Sequence, residues 1–218
     1  MQKMARSTGR RATNGLGLLP IPEALVDALP IPDVARIPAR TVIALDGAGP
    51  PEAAEFQQAV PALYGVAYGL KFAQKARGLD FRIGPLEARW WAEPPPHALA
   101  SAPRDTWRWQ VRLGVPDRIS ADDVTAAAEA AVHRKGGKLE GNEAALLVRR
   151  LFIDAQPMGR ILHEGAYGDE GPSLEAAREA LIDAGLTPAG PHVEVYLNDP
   201  RRTAPGRLRT VLLVEPAR

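Results

Sequence analysis

The same order of elements, strand–helix–strand–strand, can be read twice along this sequence. A short apolar strand pattern ends at Asp46-Gly47-Ala48 in the first half and at Glu164-Gly165-Ala166 in the second, and both match I-x-x-acid-G-A. In each half a helix pattern and two further strand patterns follow. Two such units, with antiparallel strands covered on one face by helices, predict an α+β fold with a pseudo-twofold sheet. We place the repeat units at about residues 40–116 and 147–215, with a ligand groove between them.

The strand pattern that begins at His192 has two different faces. Its sequence, H-V-E-V-Y-L-N-D-P, alternates between apolar and polar residues, which is typical of a strand. The apolar face is expected to pack on helices, whereas the other face carries Glu194 between His192 and Tyr196. That face is either an ordinary surface with a chance glutamate or part of a site. The repeat predicts Glu87, in Leu86-Glu87-Ala88, as the counterpart of Glu194.

Aromatic residues concentrate near these strands. Trp90, Trp91, Trp107 and Trp109 account for every tryptophan and lie in two neighbouring strand patterns. Together they predict a flat apolar wall on which a planar ligand could stack. Tyrosines at positions 64 and 68 and a phenylalanine at position 72 form a ridge on the first predicted helix. This ridge is either core packing or, if it borders a cavity, part of the site.

Helix and strand boundaries can be proposed from local signals. The first helix follows Pro50-Pro51 and should kink or restart at Pro61. A connecting helix begins at the N-cap Ser120 and should end at Gly136-Gly137. Residues 147–165 predict one or two strands broken near Pro157-Met158-Gly159, and residues 173–185 predict a helix.

Bulk composition excludes several classes of protein. The 218 residues include 27 basic and 26 acidic side chains, so the net charge does not indicate a nucleic-acid or anionic-membrane partner. No apolar run approaches a membrane span. The absence of cysteine excludes disulfides and thiol nucleophiles and fits a cytoplasmic location. The four histidines are scattered, so we expect no metal site and no cofactor. The sequence predicts an extended or disordered arm at residues 1–30 and the binding domain at residues 31–218. It does not indicate the oligomeric state.

Several strings resemble the GyrI-like family of small-molecule-binding proteins, in particular a stand-alone branch that includes hydrolases of cyclopropane-bearing, DNA-alkylating compounds. The matching strings are D-G-A-G-P-P at Asp46–Pro51, A-L-Y-G-V-A-Y-G-L-K-F at Ala62–Phe72, P-L-E-A-R-W-W at Pro85–Trp91, W-R-W at Trp107–Trp109, I-L-H-E-G-A-Y at Ile161–Tyr167, E-V-Y-L-N-D-P-R-R-T at Glu194–Thr203 and R-T-V-L at Arg209–Leu212. The resemblance covers about residue 30 to the C-terminus. It implies the same duplicated fold.

The resemblance also implies a role for Glu194. In the family, a glutamate on the late strand sits in an aromatic pocket, which some relatives use to sense drugs and the hydrolases use to add water. This sequence departs from the branch at Val193, where a second histidine is common, at Ala88, where glycine is commoner, and at Asn198, where serine is commoner. The substrate of this protein can therefore differ from the substrates of other members of the branch.

The expected function is therefore a cofactor-independent hydrolase that opens a cyclopropane ring and detoxifies the compound, as in antibiotic self-resistance. Glu194 would activate water, with Glu87 and Tyr196 as further catalytic candidates. A phenol would stabilise the carbonyl oxygen, and the sequence does not choose among the four tyrosines. The expected substrate-binding residues are Tyr64, Tyr68, Trp90, Trp91, Trp109, His163, Tyr167 and His192. The alternatives are a module that binds or senses planar apolar ligands without turnover, and a gyrase-inhibitor-like interaction protein.

Overall fold

The structure is a computed structural model and describes residues 21–92, 99–134, 136–137 and 139–217. Its helices are α1 (Glu23–Val26), α2 (Ala54–Ala76), α3 (Ala121–His133) and α4 (Gly171–Asp183). Its strands are β1 (Asp33–Ile37), β2 (Arg40–Ala48), β3 (Leu86–Ala92), β4 (Trp107–Gly114), β5 (Arg149–Ile153), β6 (Gln156–Glu164), β7 (Pro188–Tyr196) and β8 (Arg209–Pro216). None of the helices in these residues combines the length and the hydropathy needed to cross a bilayer.

The eight strands form one antiparallel sheet in the order β1-β6-β8-β7-β3-β4-β2-β5. The units β2-α2-β3-β4 and β6-α4-β7-β8 repeat the order strand–helix–strand–strand. They meet where β3 pairs with β7, so the strand order on one side of this contact mirrors that on the other. The α+β fold with two repeated units is therefore confirmed.

The register between β3 and β7 corrects the expected match between Glu87 and Glu194. Glu194 lies opposite Ala88, whereas Glu87 lies opposite Val195. Directly opposed residues share a face of the sheet and successive residues alternate, so the two glutamates point to opposite faces. A twofold rotation about an axis perpendicular to the sheet keeps every residue on its own face. Equivalent residues of the two units must therefore lie on the same face. Glu87 and Glu194 are therefore not equivalent positions, and the prediction of equivalence is wrong.

The long helices cover the face that carries Glu194. Helix α4 packs through Ala177 and Leu181 on Leu212 and Val214 of β8, which lie opposite Glu194 and His192 in the register. Helix α2 packs on Trp90, Val111 and their neighbours in the first half. The expectation that helices pack on the apolar face of β7 is thus only partly right. Val193 and Val195 face the other side, where Leu25 of α1 and Ile37 of β1 cover them.

Helix α2 is a single helix. Its buried residues include Phe56, Leu63, Ala67 and Leu70, as the apolar spacing predicts. Pro61 lies inside the helix, exposed to solvent, and the helix does not restart there. Pro61 cannot donate the backbone hydrogen bond of a regular helix. The residues on either side of it pack against the sheet, and this packing keeps the helix continuous.

Several boundaries differ from the expected ones. The break between β5 and β6 falls at residues 154–155, not at Pro157-Met158-Gly159. Gly159 lies inside β6, and a Cβ atom at this position would come within 2.1 Å of the Ala177 carbonyl oxygen. This glycine allows α4 to approach the sheet closely and does not end a strand. Helix α3 begins at the capping box of Ser120 and Asp123 as expected, but it ends at His133, before the glycine pair.

Candidate functional site

A cavity of about 1820 Å³ opens on the helix-covered face of the sheet. Its walls come from α2 and α3, from the start of α4, from the strands β3, β4 and β7, and from the segment after β7. Eight aromatic side chains belong to this lining: Phe56, Tyr64, Tyr68, Phe72, Trp90, Trp107, Tyr167 and Tyr196. Glu170, His192, Glu194 and Asp199 are among the polar residues of the lining. Four arginines, at positions 104, 134, 178 and 201, also belong to the lining. The cavity thus combines apolar and aromatic surface with charged groups of both signs, a composition that suits a small-molecule site.

The carboxylate of Glu194 is held by its two neighbours on the same face of β7. The Tyr196 hydroxyl donates a hydrogen bond to Oε2 at 2.5 Å, and His192 Nε2 lies 3.2 Å from Oε1. Because strand residues two apart share a face, the alternation of the sequence itself places these three side chains in one row. With its Nε2 protonated, His192 donates to Glu194 as well. The carboxylate is therefore fixed in orientation, with lone pairs left for a ligand or a water molecule.

Glu170, which the sequence analysis did not single out, is the second acidic group of the site. It directly precedes α4, is only 5% exposed, and lines the cavity. Within the part of the chain that the structure describes, neither its Oε1 atom nor the buried Thr210 hydroxyl has a partner at regular hydrogen-bond geometry, although both Thr210 and Glu194 lie close enough to act on the carboxyl group. Burial, reinforced by the charge of Glu194, raises the pKa of Glu170 to about 9. Glu170 therefore carries a proton at neutral pH beside the carboxylate of Glu194.

The position of Glu170 could not be read from its local sequence. An acid just before a Gly-Pro helix start is ordinarily a solvent-exposed group near the helix N-terminus. Glu170 is buried because α4 packs on β6 and β8 and brings its first turn over the centre of the sheet.

Three phenols of the cavity lining have raised pKa values and remain neutral at neutral pH. Burial and the charges of Glu194 and Glu170 raise the pKa of Tyr167 to about 12, and burial raises the pKa of Tyr196 well above its usual value. Burial also raises the pKa of Tyr64. The hydroxyl proton of Tyr196 is already donated to Glu194. The hydroxyls of Tyr64 and Tyr167 have no such partner among the described residues, so they remain available to a ligand.

The four tryptophans do not form one flat wall. Trp109 is fully buried, with its ring edge-on to Phe56 at 5.2 Å, and Trp90 stacks on Phe56 at the same distance. Trp107, which is half-buried, lines the cavity with Trp90, and the two ring planes meet at 72°. Trp91 lies on the opposite face of β3, where its ring contacts the Arg89 guanidinium at 4.9 Å. Trp90 and Trp107 are thus the pair that the structure brings to the cavity.

Two other expected site residues have partners away from the cavity lining. Glu87 is 2% exposed and forms an ion pair with Arg40 at 2.6 Å on the opposite face of the sheet. His163 Nδ1 lies 3.1 Å from Ser173 Oγ, and its Nε2 lies 3.2 Å from the Ala166 carbonyl oxygen. With Nε2 protonated, His163 connects the end of β6 to the first turn of α4. The remaining candidates Tyr64, Tyr68, Tyr167, His192, Glu194 and Tyr196 all line the cavity.

Potential metal ligands do not cluster within the part of the chain that the structure describes: no group of three or more histidine or acidic side chains could hold an ion there.

Comparisons with known proteins agree with the fold. No family model matches the sequence, and no curated protein matches it either. Among solved structures, the chain is similar to an uncharacterized conserved protein from Listeria innocua, with 26% identity, a TM-score of 0.75, and coverage of 87% of this chain and 94% of the other. It is also similar to a hydrolase from Listeria innocua, with 24% identity, a TM-score of 0.75, and coverage of 88% and 94%.

A more distant likeness is to the C-terminal domain of EcmrR, with 13% identity, a TM-score of 0.50, and coverage of 86% of this chain and 97% of that domain. These structural neighbours show the same overall fold as this chain. The chain therefore shares an α+β fold, across nearly its whole described length, with the two Listeria proteins.

Proposed function

We propose that this protein is a cofactor-independent hydrolase that adds water to a reactive, planar and largely apolar small molecule. The substrate class that fits best is a cyclopropane conjugated to a carbonyl group, so that hydrolysis would remove an alkylating agent. The observation that carries the proposal is the Glu194 carboxylate, oriented by Tyr196 and His192 in an aromatic cavity next to a protonated Glu170.

Glu194 supplies the base. A water molecule that donates a hydrogen bond to a free lone pair of Glu194 presents its oxygen to the electrophilic ring carbon of a bound substrate. As the carbon–oxygen bond forms, the carboxylate takes the water proton. The bonds from Tyr196 and His192 hold the carboxylate still, so the base does not have to reorient during the reaction.

Glu170 and Tyr167 supply the acid side of the reaction. The ring carbon–carbon bond breaks as water attacks, and its electron pair moves through the conjugated system to the carbonyl oxygen. A neutral phenol such as Tyr167 stabilises this oxygen by donating a hydrogen bond. The proton of Glu170 completes the enol or phenol product, and the proton taken up by Glu194 then restores Glu170. The net change is the addition of one water molecule.

The aromatic lining holds the substrate for this attack. Trp90 and Trp107 present two faces at a steep angle, so a flat ring system can stack on one indole and contact the edge of the other. Fixing the ring carbon next to the water contributes several kcal/mol to lowering the barrier.

The test is the substitution Glu194→Gln, assayed with a spirocyclopropyl cyclohexadienone. Turnover, followed as water addition by mass spectrometry, should fall by about 10²–10⁴-fold, because the amide cannot accept the water proton. Probe binding and the Tm should change little, since the amide oxygen can still accept the bond from Tyr196. Near-normal turnover in this variant would contradict the proposal.

Glu87→Gln provides the matched comparison, because it makes the same chemical change on the other face of the sheet. It leaves Arg40 buried without its carboxylate partner, so the free energy of unfolding should fall by about 3–5 kcal/mol. Turnover per folded molecule should stay within a few-fold of the wild type. A large loss of turnover with unchanged stability would instead give Glu87 a role in the reaction.

A second candidate is binding of a flat organic cation without turnover. The observation that favours it is local: the charges of Glu194 and Asp199 act on the phenols of Tyr167 and Tyr64 in the aromatic part of the cavity. If this candidate is right, an acridinium dye should bind more tightly than its uncharged analogue, Glu194→Gln should abolish that preference, and wild-type protein should add no water to the cyclopropane probe.

A further inference from the structure

His163 and Ser173 form a hydrogen-bonded pair outside the cavity lining. His163 lies near the end of β6 and is 8% exposed, and Ser173 lies in the first turn of α4. The Ser173 Oγ atom is 3.1 Å from His163 Nδ1, which is within hydrogen-bond distance. Neither residue lines the cavity that contains Glu194. The pair is therefore separate from the site described above.

The second ring nitrogen of His163 fixes the direction of this hydrogen bond. Nε2 lies 3.2 Å from the Ala166 carbonyl oxygen, which can only accept a hydrogen bond. In the neutral imidazole, Nε2 therefore carries the proton and Nδ1 has a free lone pair. The Ser173 hydroxyl must then donate to Nδ1. This is the arrangement in which a histidine can act as a general base towards a hydroxyl group.

The turn after β6 holds the imidazole in this orientation. The Gly165 N–H donates to the Leu208 carbonyl oxygen at 3.0 Å, which ties the turn to the segment before β8. An added Cβ at Gly165 would lie 3.0 Å from His163 Nε2, so the glycine leaves room for the ring. A base that is already oriented needs no rearrangement before it takes a proton.

The start of α4 also favours attack by the Ser173 hydroxyl. The backbone N–H groups in the first turn of a helix have no partner within the helix. The N–H of Ser173 itself can therefore donate to an oxygen that gains negative charge when the hydroxyl attacks a carbonyl carbon. Ser173 is half-buried, and the adjacent Gly171 and Pro172 are exposed, so this turn is open to a small molecule.

We propose that Ser173 is a second reactive centre, a nucleophile that is acylated by activated esters with His163 as its base. In this step, Ser173 Oγ forms a bond to the acyl carbon, and the bond from that carbon to an aryloxide leaving group breaks. His163 Nδ1 takes the hydroxyl proton and passes it to the aryloxide. The products are an acyl ester of Ser173 and a free phenol. This step is independent of the hydrolysis proposed at Glu194.

The group that orients His163 leads us to expect a long-lived ester. A carboxylate in this position would stabilise the imidazolium that forms as the proton moves, whereas the neutral Ala166 carbonyl does so less strongly. Removal of the acyl group by water needs the same base a second time. We therefore expect the acyl group to accumulate on Ser173 and turnover to be slow, so that this serine behaves as a modification site.

The experiment uses p-nitrophenyl acetate as the activated ester. The wild type should release a burst of about one equivalent of p-nitrophenolate, and peptide mapping by mass spectrometry should find the acetyl group on Ser173. Ser173→Ala should abolish both signals. His163→Gln should slow acetylation of Ser173 by roughly 10²–10⁴-fold, the usual contribution of a positioned base. Wild-type protein without acetyl on Ser173, or with acetyl groups on lysine side chains only, would overturn the proposal.

A thiol provides a second test that does not depend on how well His163→Gln folds. The chain has no cysteine, so Ser173→Cys introduces a single thiol next to the imidazole. A neighbouring imidazole promotes the thiolate, so iodoacetamide should alkylate this thiol at pH 6 at least about tenfold faster than it alkylates N-acetylcysteine.

Pro172→Cys is the matched control, because it places a thiol at an exposed position in the same turn of α4, where the helix N-terminus acts on both thiols. If His163 activates the group at position 173, Ser173→Cys reacts faster than Pro172→Cys. Equal rates in the two folded variants, or a rate for Ser173→Cys no higher than that of N-acetylcysteine, would overturn the role of His163 as the base.

Discussion

At the scale of single residues, the site depends on two neighbouring carboxyl groups in different environments. Glu194 accepts a hydrogen bond from Tyr196 and lies 3.2 Å from His192 Nε2, whereas Glu170 is buried next to Glu194 and Thr210. Two neighbouring carboxyl groups cannot both be ionised without strong repulsion, so the more buried one keeps its proton. Environments that separate the protonation of two acids in this way are typical of sites for acid–base chemistry.

Glu170 leads to a prediction about stability and pH. Its pKa is about 9 in the folded protein, against an ordinary value of 4.5, so the folded state binds the proton more tightly than the unfolded state. The stabilisation from the neutral carboxyl is fully present below about pH 4.5 and is lost as the pH rises towards 9. Between these two pH values, each increase of one pH unit lowers the free energy of unfolding by up to about 1.4 kcal/mol through this group.

The measurement is chemical denaturation of the wild type and of Glu170→Gln at pH 5.5, 7 and 8.5. The amide cannot ionise, so the variant should gain stability relative to the wild type at each step to higher pH. Glu179→Gln, an exposed position on the same helix, provides the control and should show no such trend. A constant difference between wild type and Glu170→Gln across this range would contradict the assignment of a buried neutral acid.

At the scale of elements, the contact between α4 and β6 positions the start of α4. Gly159 has no side chain to separate the strand from the helix, and an added Cβ would collide with the backbone at Ala177 and approach Leu181. The helix backbone cannot move away without moving Glu170 at its N-terminal end. The close packing of α4 is therefore a condition for the geometry of the carboxyl pair.

Gly159→Ala tests this contact. The substitution should lower the free energy of unfolding by about 1–3 kcal/mol, as overpacking in a tight interface does. Turnover per folded molecule should also fall, because the start of α4 shifts. Gly114→Ala in β4 is the control, since a Cβ there meets no atom of the described residues within 4 Å and the backbone has an ordinary φ. Equal stability of the two variants would show that α4 tolerates displacement at this point.

At the scale of the whole molecule, the sheet joins the two repeat units into one body. Strands β3 and β7 pair directly at the centre, and Arg89 of β3 reaches across to Glu215 of β8 with hydrogen bonds of 2.7 and 2.8 Å. The cavity takes residues from both units, so neither unit forms it alone.

We therefore expect the two units to unfold together. All four tryptophans belong to the first unit, so tryptophan fluorescence reports on that unit, whereas far-UV circular dichroism reports on both. Urea denaturation followed by the two signals should give coincident transitions with one midpoint. Separate midpoints would show that the units are thermodynamically independent and that the central strand pair contributes little to cooperativity.

Local patterns in the sequence predicted much of this protein. Period-two alternation placed His192, Glu194 and Tyr196 on one face of β7, and apolar spacing predicted the buried side of α2, because both depend on residues near in the chain. The repeated order of elements also predicted the duplicated fold.

Tertiary structure decided which of these faces became the site. The register of β3 against β7 put Glu87 and Glu194 on opposite faces, and a shift of one residue would have reversed this outcome. Glu170 lies 24 positions before Glu194 in the sequence. It reaches the site only because α4 packs over the second unit of the sheet. Register and helix packing arise from contacts between residues far apart in the chain, so no local spacing encodes them.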